Sequence, residues 1–366
     1  MPLREFHPES VESILVIRLY FIGDVLLSTP VLEALGRSFP NASLTVAIKR
    51  RAGDVLLGNP FVDETIVYDA VGNYHNPGWI WRLARSMRQR KFSLSVDLTG
   101  DYRSSWMVLA SDPAFRVGFN RVGMGFLLDR RMPYRAPGHV VDHLLSVVEP
   151  IGATADDPSP RLYLSDEERR DAEELLSAVG LASGRALAAL APGANWLLRR
   201  WPPERFGALA RWLVDRHGLA TVIVGSRDDV GLAETVVRAS GGAATSLAGR
   251  TSLRVAAAVA ARASVFVGND SGPLHMAAAV GTPVVGLFGP NTPLRFAPRG
   301  APSRVVYSSF PCSPCGQRGC SRTGETCMQA ISLDEVKSKL DSLLVEVGTD
   351  DRAGEASVGD WRGASR

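Results

Sequence analysis

Short apolar runs rich in β-branched residues alternate with longer segments whose apolar positions recur at helical spacing, and the alternation restarts once along the chain. In the first half the runs 14–19, 44–48, 65–68 and 94–97 predict strands, with helices over 79–90 and 139–151. The turn-rich stretch 153–160, holding Asp156, Asp157, Pro158 and Pro160, predicts a linker. Ser165, with Glu168 three residues on, predicts a capped polar helix after it. The second half predicts strands at 187–190, 221–224, 265–267 and 284–287, with helices near 204–217, 228–239, 252–262 and 273–280. Such alternation builds parallel sheets with crossover helices. The expected architecture is α/β, with two Rossmann-like domains facing each other across a central cleft. Its expected parts are a first domain at 1–155, a linker helix at 156–184, a second domain at 185–331, a closing helix at 332–347 and a disordered tail at 348–366.

Composition narrows the class. A chain of 366 residues suggests two domains at roughly 150 residues each. Hydrophobic residues at 45% and charged residues at 22% describe an ordinary globular protein, and a net charge of only +3 argues against a dedicated nucleic-acid binder. No apolar run approaches the ~20 residues of a membrane span. The run 14–27 is broken by Arg18 and Asp24 and follows Glu5, Glu9 and Glu12, so it does not read as a signal peptide, and a cytoplasmic protein is expected. All four cysteines lie within 312–327, and in that compartment they are thiols or metal ligands sooner than disulfides.

Three motifs sit where strands run out. At 18–27 a buried strand ends, Gly23 permits a tight turn and Asp24 opens the next segment; a helix cap is the plain alternative for Asp24. Either Thr29-Pro30 starts a new helix there or Pro30 kinks one begun at Gly23. At 265–279 a strand runs into Asp270, Ser271 and Gly272, and an Ala-rich helix begins at Pro273. Amide N–H groups at such a helix start, with the hydroxyl of Ser271 and the ring of His275, suit a diphosphate; a capped helix with a packed histidine is the plain alternative. At 191–202 a strand exits into a loop carrying Asn195 and the pair Arg199-Arg200 before Trp201-Pro202, and arginine binds phosphate oxygens bidentately. Neither a dinucleotide G-x-G-x-x-G nor a P-loop occurs.

Together these motifs resemble glycosyltransferase family 9, the ADP-heptose:lipopolysaccharide heptosyltransferases, over roughly 14–344. The resemblance rests on R-L-x-x-x-G-D-V-L-x-x-T-P, on R-W-P, on D-S-G-P-x-H-x-A-A-A-x-G-x-P-V-V-x-L-F-G-P and on the cysteine segment. It implies the GT-B fold, with the acceptor on the N-terminal domain and the nucleotide-sugar on the C-terminal one. Residue by residue, it implies Asp24 as general base and Asp270, Ser271, Gly272 and His275 as the donor loop. Thr251 and Leu253 fall at the adenine pocket, and Asp228 or Asp229 near the ribose. Arg199 stands where a Lys is usual beside the diphosphate, and Gly23, Arg103 and Ser104 fall near the acceptor. The run Tyr20-Phe21-Ile22 is bulkier than the small polar residues common there.

The implied reaction is inverting displacement of ADP from ADP-heptose, or from a related ADP-sugar, by an acceptor hydroxyl. A lipopolysaccharide inner core or another glycan is the implied acceptor; a protein or small-molecule acceptor, or a nucleotide-sugar epimerase of the same architecture, are the competing readings. A helix start would make Asp24 a poorer base and desolvation a better one. No D-x-D pair stands out, so no cofactor is expected in catalysis. Cys312, Cys315, Cys320 and Cys327 would hold a structural zinc or iron, or remain thiols. The basic runs 49–51 and 82–91 would meet phosphates of a glycolipid or of the inner-membrane surface, or form solvated faces. Trp79 and Trp81 read as packing residues, as does the pair His139 and His143, which lacks the H-E-x-x-H pattern of a metal site.

Overall fold

The computed structural model describes residues 4–68, 77–122, 124–134, 137–181, 184–317 and 319–348, without the side chains of 77–80. Within them the first alternating stretch becomes β1 (Ser13–Arg18), α1 (Ile22–Leu26), α2 (Thr29–Ser38), β2 (Ser43–Ile48), β3 (Glu64–Val67), α3 (Pro77–Gln89), β4 (Leu94–Asp97), α4 (Tyr102–Ser111), β5 (Phe115–Asn120), β6 (Arg130–Pro133) and α5 (Val140–Leu145). The strands make one parallel sheet in the order β3-β2-β1-β4-β5-β6, with Val16 level with Val46 on one side and Val96 on the other. β1 and β4 lie at its centre and are buried almost end to end; β1 reads as a nearly unbroken apolar run, whereas β4 alternates Leu94 and Val96 with the buried polar Ser95 and Asp97. Met87, Met107 and Val108 from α3 and α4 pack with Leu15 and Ile17 into one core cluster.

The second stretch repeats the plan: α6 (Asp166–Ala178), β7 (Leu187–Ala191), α7 (Pro203–His217), β8 (Ala220–Ile223), α8 (Val230–Ala239), β9 (Ala244–Ser246), α9 (Leu253–Arg262), β10 (Val265–Asn269), α10 (Gly272–Ala279), β11 (Val284–Phe288), α11 (Pro293–Phe296), β12 (Ser303–Tyr307), α12 (Cys327–Ala330) and α13 (Leu333–Glu346). Its parallel sheet has the order β12-β11-β10-β7-β8-β9. Its core holds Trp201, Phe206, Leu213, Ile223, Val267, Leu287 and Leu340. Two Rossmann-like sheets of the GT-B class are the fold class expected from the sequence.

The division into units departs from the expected one. One unit runs to Ser165 and takes in Pro293–Gly300; the other holds Asp166–Thr292 and resumes at Ala301. Helix α6 is therefore part of the second unit rather than a linker. Glu168, expected in a capping box, forms a bidentate pair with Arg254 of α9. The return segment is tied to the first unit by His139 Nε2, which donates to the Ala297 carbonyl at 2.9 Å, and by Arg299, bidentate on Asp142 at 2.6 and 2.8 Å. Of the two alternatives for Thr29-Pro30 the first holds: α1 ends at Leu26, and Thr29 and Pro30 open the separate helix α2. Gly23 lies inside α1 and is no turn glycine. The tail expected to be disordered lies, from 349 on, outside the described residues, as does the side chain of Trp79.

Candidate active site

In a fully parallel sheet every strand points its C-terminal end at the same edge, so the loops after successive strands collect there. On the first unit Asp24 follows β1 and sits in the third position of α1. Its Oδ2 accepts from the Phe21 N–H at 3.3 Å, and its Oδ1 lies 3.8 Å from Arg18 Nη2. Arg18 is 4% exposed, donates through Nη1 to the Leu98 carbonyl at 2.6 Å and through Nε to the Asp24 carbonyl at 3.2 Å. Burial pulls the Arg18 pKa down while Asp24 pushes it up. Asp24 thus caps a short helix, the plain alternative, and is held by a buried arginine while keeping 30% of its side-chain surface exposed.

Arg18 also lies 4.7 Å over the Tyr20 ring. The Tyr20 hydroxyl is 3.2 Å from that of Tyr134 and accepts from Arg121, whose guanidinium stacks 4.5 Å over Tyr134. Burial, first of all, raises the Tyr20 pKa, so the phenol stays neutral. Beside this cluster an open cavity of about 730 Å³ is lined by Asn120, Arg121, Val122, Arg131, Met132, Pro133 and Tyr134. Sequence reasoning missed Arg121 and Tyr134 because they directly follow β5 and β6, strands it did not find.

The expected acceptor residues separate here. Arg103 lies at the start of α4 with its Nε donating to Asp101 Oδ2 at 2.9 Å. Ser104 is a correction: it is fully buried, donating to the Asp101 carbonyl at 2.9 Å and accepting from the Asp101 N–H at 3.0 Å. It closes a capping box and presents no surface to a ligand. His139 caps α5 through Nδ1, and His143 stacks on Phe119 at 4.5 Å, so the pair packs and caps. Burial lowers both of their pKa values.

Under the same sheet edge Asp97 is buried, and burial pushes its carboxyl up to about 6 although Thr99 and Gly100 donate to Oδ1 at 2.9 Å. The folded chain therefore binds this proton more tightly than the unfolded chain. Stability falls as pH rises from roughly 4 to about 6 and stays lower above, by roughly 3 kcal/mol. Asp97→Asn keeps the accepting oxygen and removes the charge. It is expected to raise Tm at pH 7.5 and leave it nearly unchanged at pH 4; equal shifts at both pH values in thermal melts would refute the assignment.

On the second unit the expected donor residues gather at one edge. α10 begins at Gly272, and Ser271 precedes it in extended conformation without a side-chain cap, its hydroxyl donating to the Asn269 carbonyl at 3.1 Å. The first-turn amides of α10 lack intrahelical acceptors and suit an anion. Asp270 is 4% exposed; burial raises its pKa against Arg199 and Asn291, which lower it. Arg199 Nη1 lies 3.1 Å from Asp270 Oδ2, Asn291 Nδ2 donates to the same oxygen at 2.6 Å, and His275 Nε2 is 3.9 Å from Oδ1. Thr251 and Leu253 flank Ser252, which caps α9 beyond β9, and both are half-buried; Asn195 is exposed in the loop after β7.

Two connections were not legible beforehand. Asn269, fully buried, accepts from the Trp201 N–H at 3.0 Å and donates to the Pro192 carbonyl at 2.8 Å, tying the R-W-P loop to the strand that carries Asp270. Asp229 accepts from Ser226 N and Oγ at 3.0 and 2.7 Å and lies 3.6 Å from Arg200; a Cβ on Gly193 would come within 2.6 Å of its carboxylate. Gly193 is thus required by close approach. Asp228 is exposed.

The four cysteines are free thiols. Burial raises the Cys327 pKa, and Cys315 and Cys320 add to the rise. Among the described residues no three His, Cys, Asp or Glu side chains come together as a metal-ligand set. No helix among them is long and apolar enough to cross a membrane.

The model of glycosyltransferase family 9 (heptosyltransferase) matches residues 80–325. The chain is 24% identical over 306 residues to the lipopolysaccharide core heptosyltransferase OpsX of Haemophilus influenzae, covering 81% of this chain and 85% of that protein. Its structure superposes on the glycosyl transferase family 9 protein of Veillonella parvula with a TM-score of 0.80 at 26% identity, over 92% of this chain and 97% of the other. For the ADP-heptose lipopolysaccharide heptosyltransferase II of Escherichia coli the TM-score is 0.74 at 25% identity, over 91% and 99%. With more than half of its length matched by the family model, on a fold shared with these enzymes, this chain belongs to glycosyltransferase family 9.

Proposed function

We propose that the chain transfers a heptose from ADP-heptose to a hydroxyl of a lipopolysaccharide inner-core acceptor, with inversion at the anomeric carbon. The observation that carries this reading is the donor-loop geometry: a helix start with available amides at Gly272 and Leu274, beside an arginine that Asp270 holds in place. The similarity to proteins named as heptosyltransferases along four-fifths of the chain supports the sugar and the acceptor class. Asp24 takes the proton of the attacking hydroxyl as that oxygen bonds to the anomeric carbon. The sugar–phosphate bond breaks, and ADP leaves with its charge neutralised by Arg199 and the α10 amides. Thr251 and Leu253 border the adenine, Asn195 and Ser271 the phosphates, and His275 supports Asp270. Gly23 and Arg103 border the acceptor, and Arg121 and Arg131, lining the cavity near Tyr20, suit an acceptor carrying carboxylates or phosphates.

Catalysis in this reading needs no metal, and the cysteine segment is structural. The exposed Arg82, Arg85 and Arg88 of α3, with exposed Trp81, suit peripheral contact with the anionic cytoplasmic face of the inner membrane.

A donor panel of ADP-heptose and ADP-, UDP- and GDP-hexoses tests the reading by acceptor-dependent nucleotide release, with and without EDTA. ADP release from ADP-heptose alone, requiring a heptose-deficient lipopolysaccharide acceptor and indifferent to EDTA, is expected. Release from UDP- or GDP-sugars, or conversion of the donor without acceptor, would overturn it.

A further inference from the structure

The cysteine-rich segment reaches the donor loop through a residue between Cys315 and Cys320. Gln317 accepts from Arg199 Nε through Oε1 at 2.6 Å and donates from Nε2 to Asn291 Oδ1 at 2.9 Å. Asn291 donates to Asp270 Oδ2, and Arg199 Nη1 closes on that same oxygen. The four side chains form a ring, Arg199–Gln317–Asn291–Asp270, in which the Gln amide supplies the acceptor and the donor that its two neighbours need. The ring engages Nε and Nη1 of the guanidinium; Nη2 takes no part in it. A lysine at 199 would offer no Nε–H edge to be gripped in this way.

The backbone points the same way. Gln317 has a φ of +58°, a left-handed conformation that a residue with a Cβ holds only against a cost, and such residues concentrate where a side chain must be aimed. The loop leading to it is pinned at the end of β11, where Ser313 Oγ donates to the Gly289 carbonyl at 2.9 Å and Cys315 N donates to the Pro290 carbonyl at 3.0 Å. Asn291 lies just beyond those two carbonyls, so the same turn anchors the loop and supplies Gln317 with its hydrogen-bond partner.

We infer that Gln317 is a positioning residue for sugar transfer: by holding the Nε edge of Arg199 while Asp270 holds Nη1, it fixes the plane of the guanidinium and leaves Nη2 turned to the departing diphosphate. The inference rests on the proposed reading in which Arg199 meets that diphosphate. It gives the cysteine-rich loop a task in leaving-group stabilisation, separate from any task of its thiols.

Calorimetric titration of the full chain with ADP, joined to kcat and KM with ADP-heptose, tests it on Gln317→Ala, Gln317→Gly, Arg199→Ala and the double variant Arg199→Ala/Gln317→Ala. Glycine suits the left-handed backbone, so Gln317→Gly removes the side chain while favouring the loop. Both Gln317 variants are expected to weaken ADP binding about five- to tenfold and to lower kcat, as loss of a charge-assisted contact implies. The double variant is expected to bind no worse than Arg199→Ala, because a group acting only through Arg199 has nothing left to act on. A merely structural Gln317 gives the opposite pattern: Gln317→Gly keeps ADP affinity and gains Tm, and the losses add in the double variant. Loss in Arg199→Ala without loss in either Gln317 variant overturns this inference alone. Unchanged ADP affinity in Arg199→Ala overturns it together with the reading beneath it.

Discussion

Asp24→Asn is expected to lower kcat by about 10²–10⁴-fold while the donor KM stays within roughly threefold, the range for loss of a general base, or roughly 3–5 kcal/mol of barrier. Asparagine is the sharper substitution because Asp24, the proposed base, also caps α1. Its amide oxygen still accepts the Phe21 N–H, so α1 keeps its cap, but it cannot take a proton from the acceptor. Arg18 loses its carboxylate partner and keeps the Leu98 and Asp24 carbonyls, so a small fall in Tm is expected beside the large fall in rate. Asp24→Ala removes cap and base together and should lose more stability for a similar loss of rate. Turnover near wild type in the asparagine variant, measured as acceptor-dependent ADP release, would sink the assignment.

Arg199→Ala is expected to reduce kcat/KM for the nucleotide-sugar by about 10²–10³-fold, since it removes a preorganised cation from the place where negative charge develops. It should also cost stability, because Asp270 is left buried without its ion pair. Breaking a fully buried pair costs about 3–5 kcal/mol, and here the lower end applies because Arg199 keeps 21% of its side-chain surface exposed. Two further variants separate the effects. Arg199→Lys keeps the charge without the planar edge and should lose only about tenfold in kcat/KM. Adding Asp270→Asn to Arg199→Ala should restore part of the Tm and none of the rate. Recovery of rate in that double variant would mean that Arg199 acts on Asp270 alone.

Most of the strands that were legible in the sequence are buried along their length; β3, exposed at three of its four positions, was legible too through Thr65-Ile66-Val67. β1, β7, β10 and β11 are nearly unbroken apolar runs, and their registers leave the motif residues at the sheet edge. β5, β6, β9 and β12 escaped notice for local reasons: Arg116 and Gly118 interrupt β5, Pro133 closes β6, β9 is three residues long, and β12 lies outermost in its sheet with most of its residues only half-buried. Asp24, Arg199 and Asp270 were singled out from the sequence because their residue types announce a possible chemistry. Asn269, Asn291, Gln317 and Arg121 were not, because each acts through a partner 21 to 118 residues distant along the chain, and nothing in its own neighbourhood marks the partnership. Ser104 shows the converse: its sequence position matches a ligand site, yet its hydroxyl is consumed by the cap it forms.

The return of Pro293–Gly300 to the first unit has a consequence for anyone who would take this enzyme apart. A gene divided at the Ser165–Asp166 junction separates Asp142 from Arg299 and His139 from Ala297, leaving the amino-terminal product with a bare carboxylate and a bare imidazole. Acceptor-swapping hybrids drawn at that single junction would inherit the same defect, joining one parent's α5 to another parent's 293–300. The modular boundary of this chain is a pair of cuts, and the eight residues between 293 and 300 travel with the amino-terminal parent.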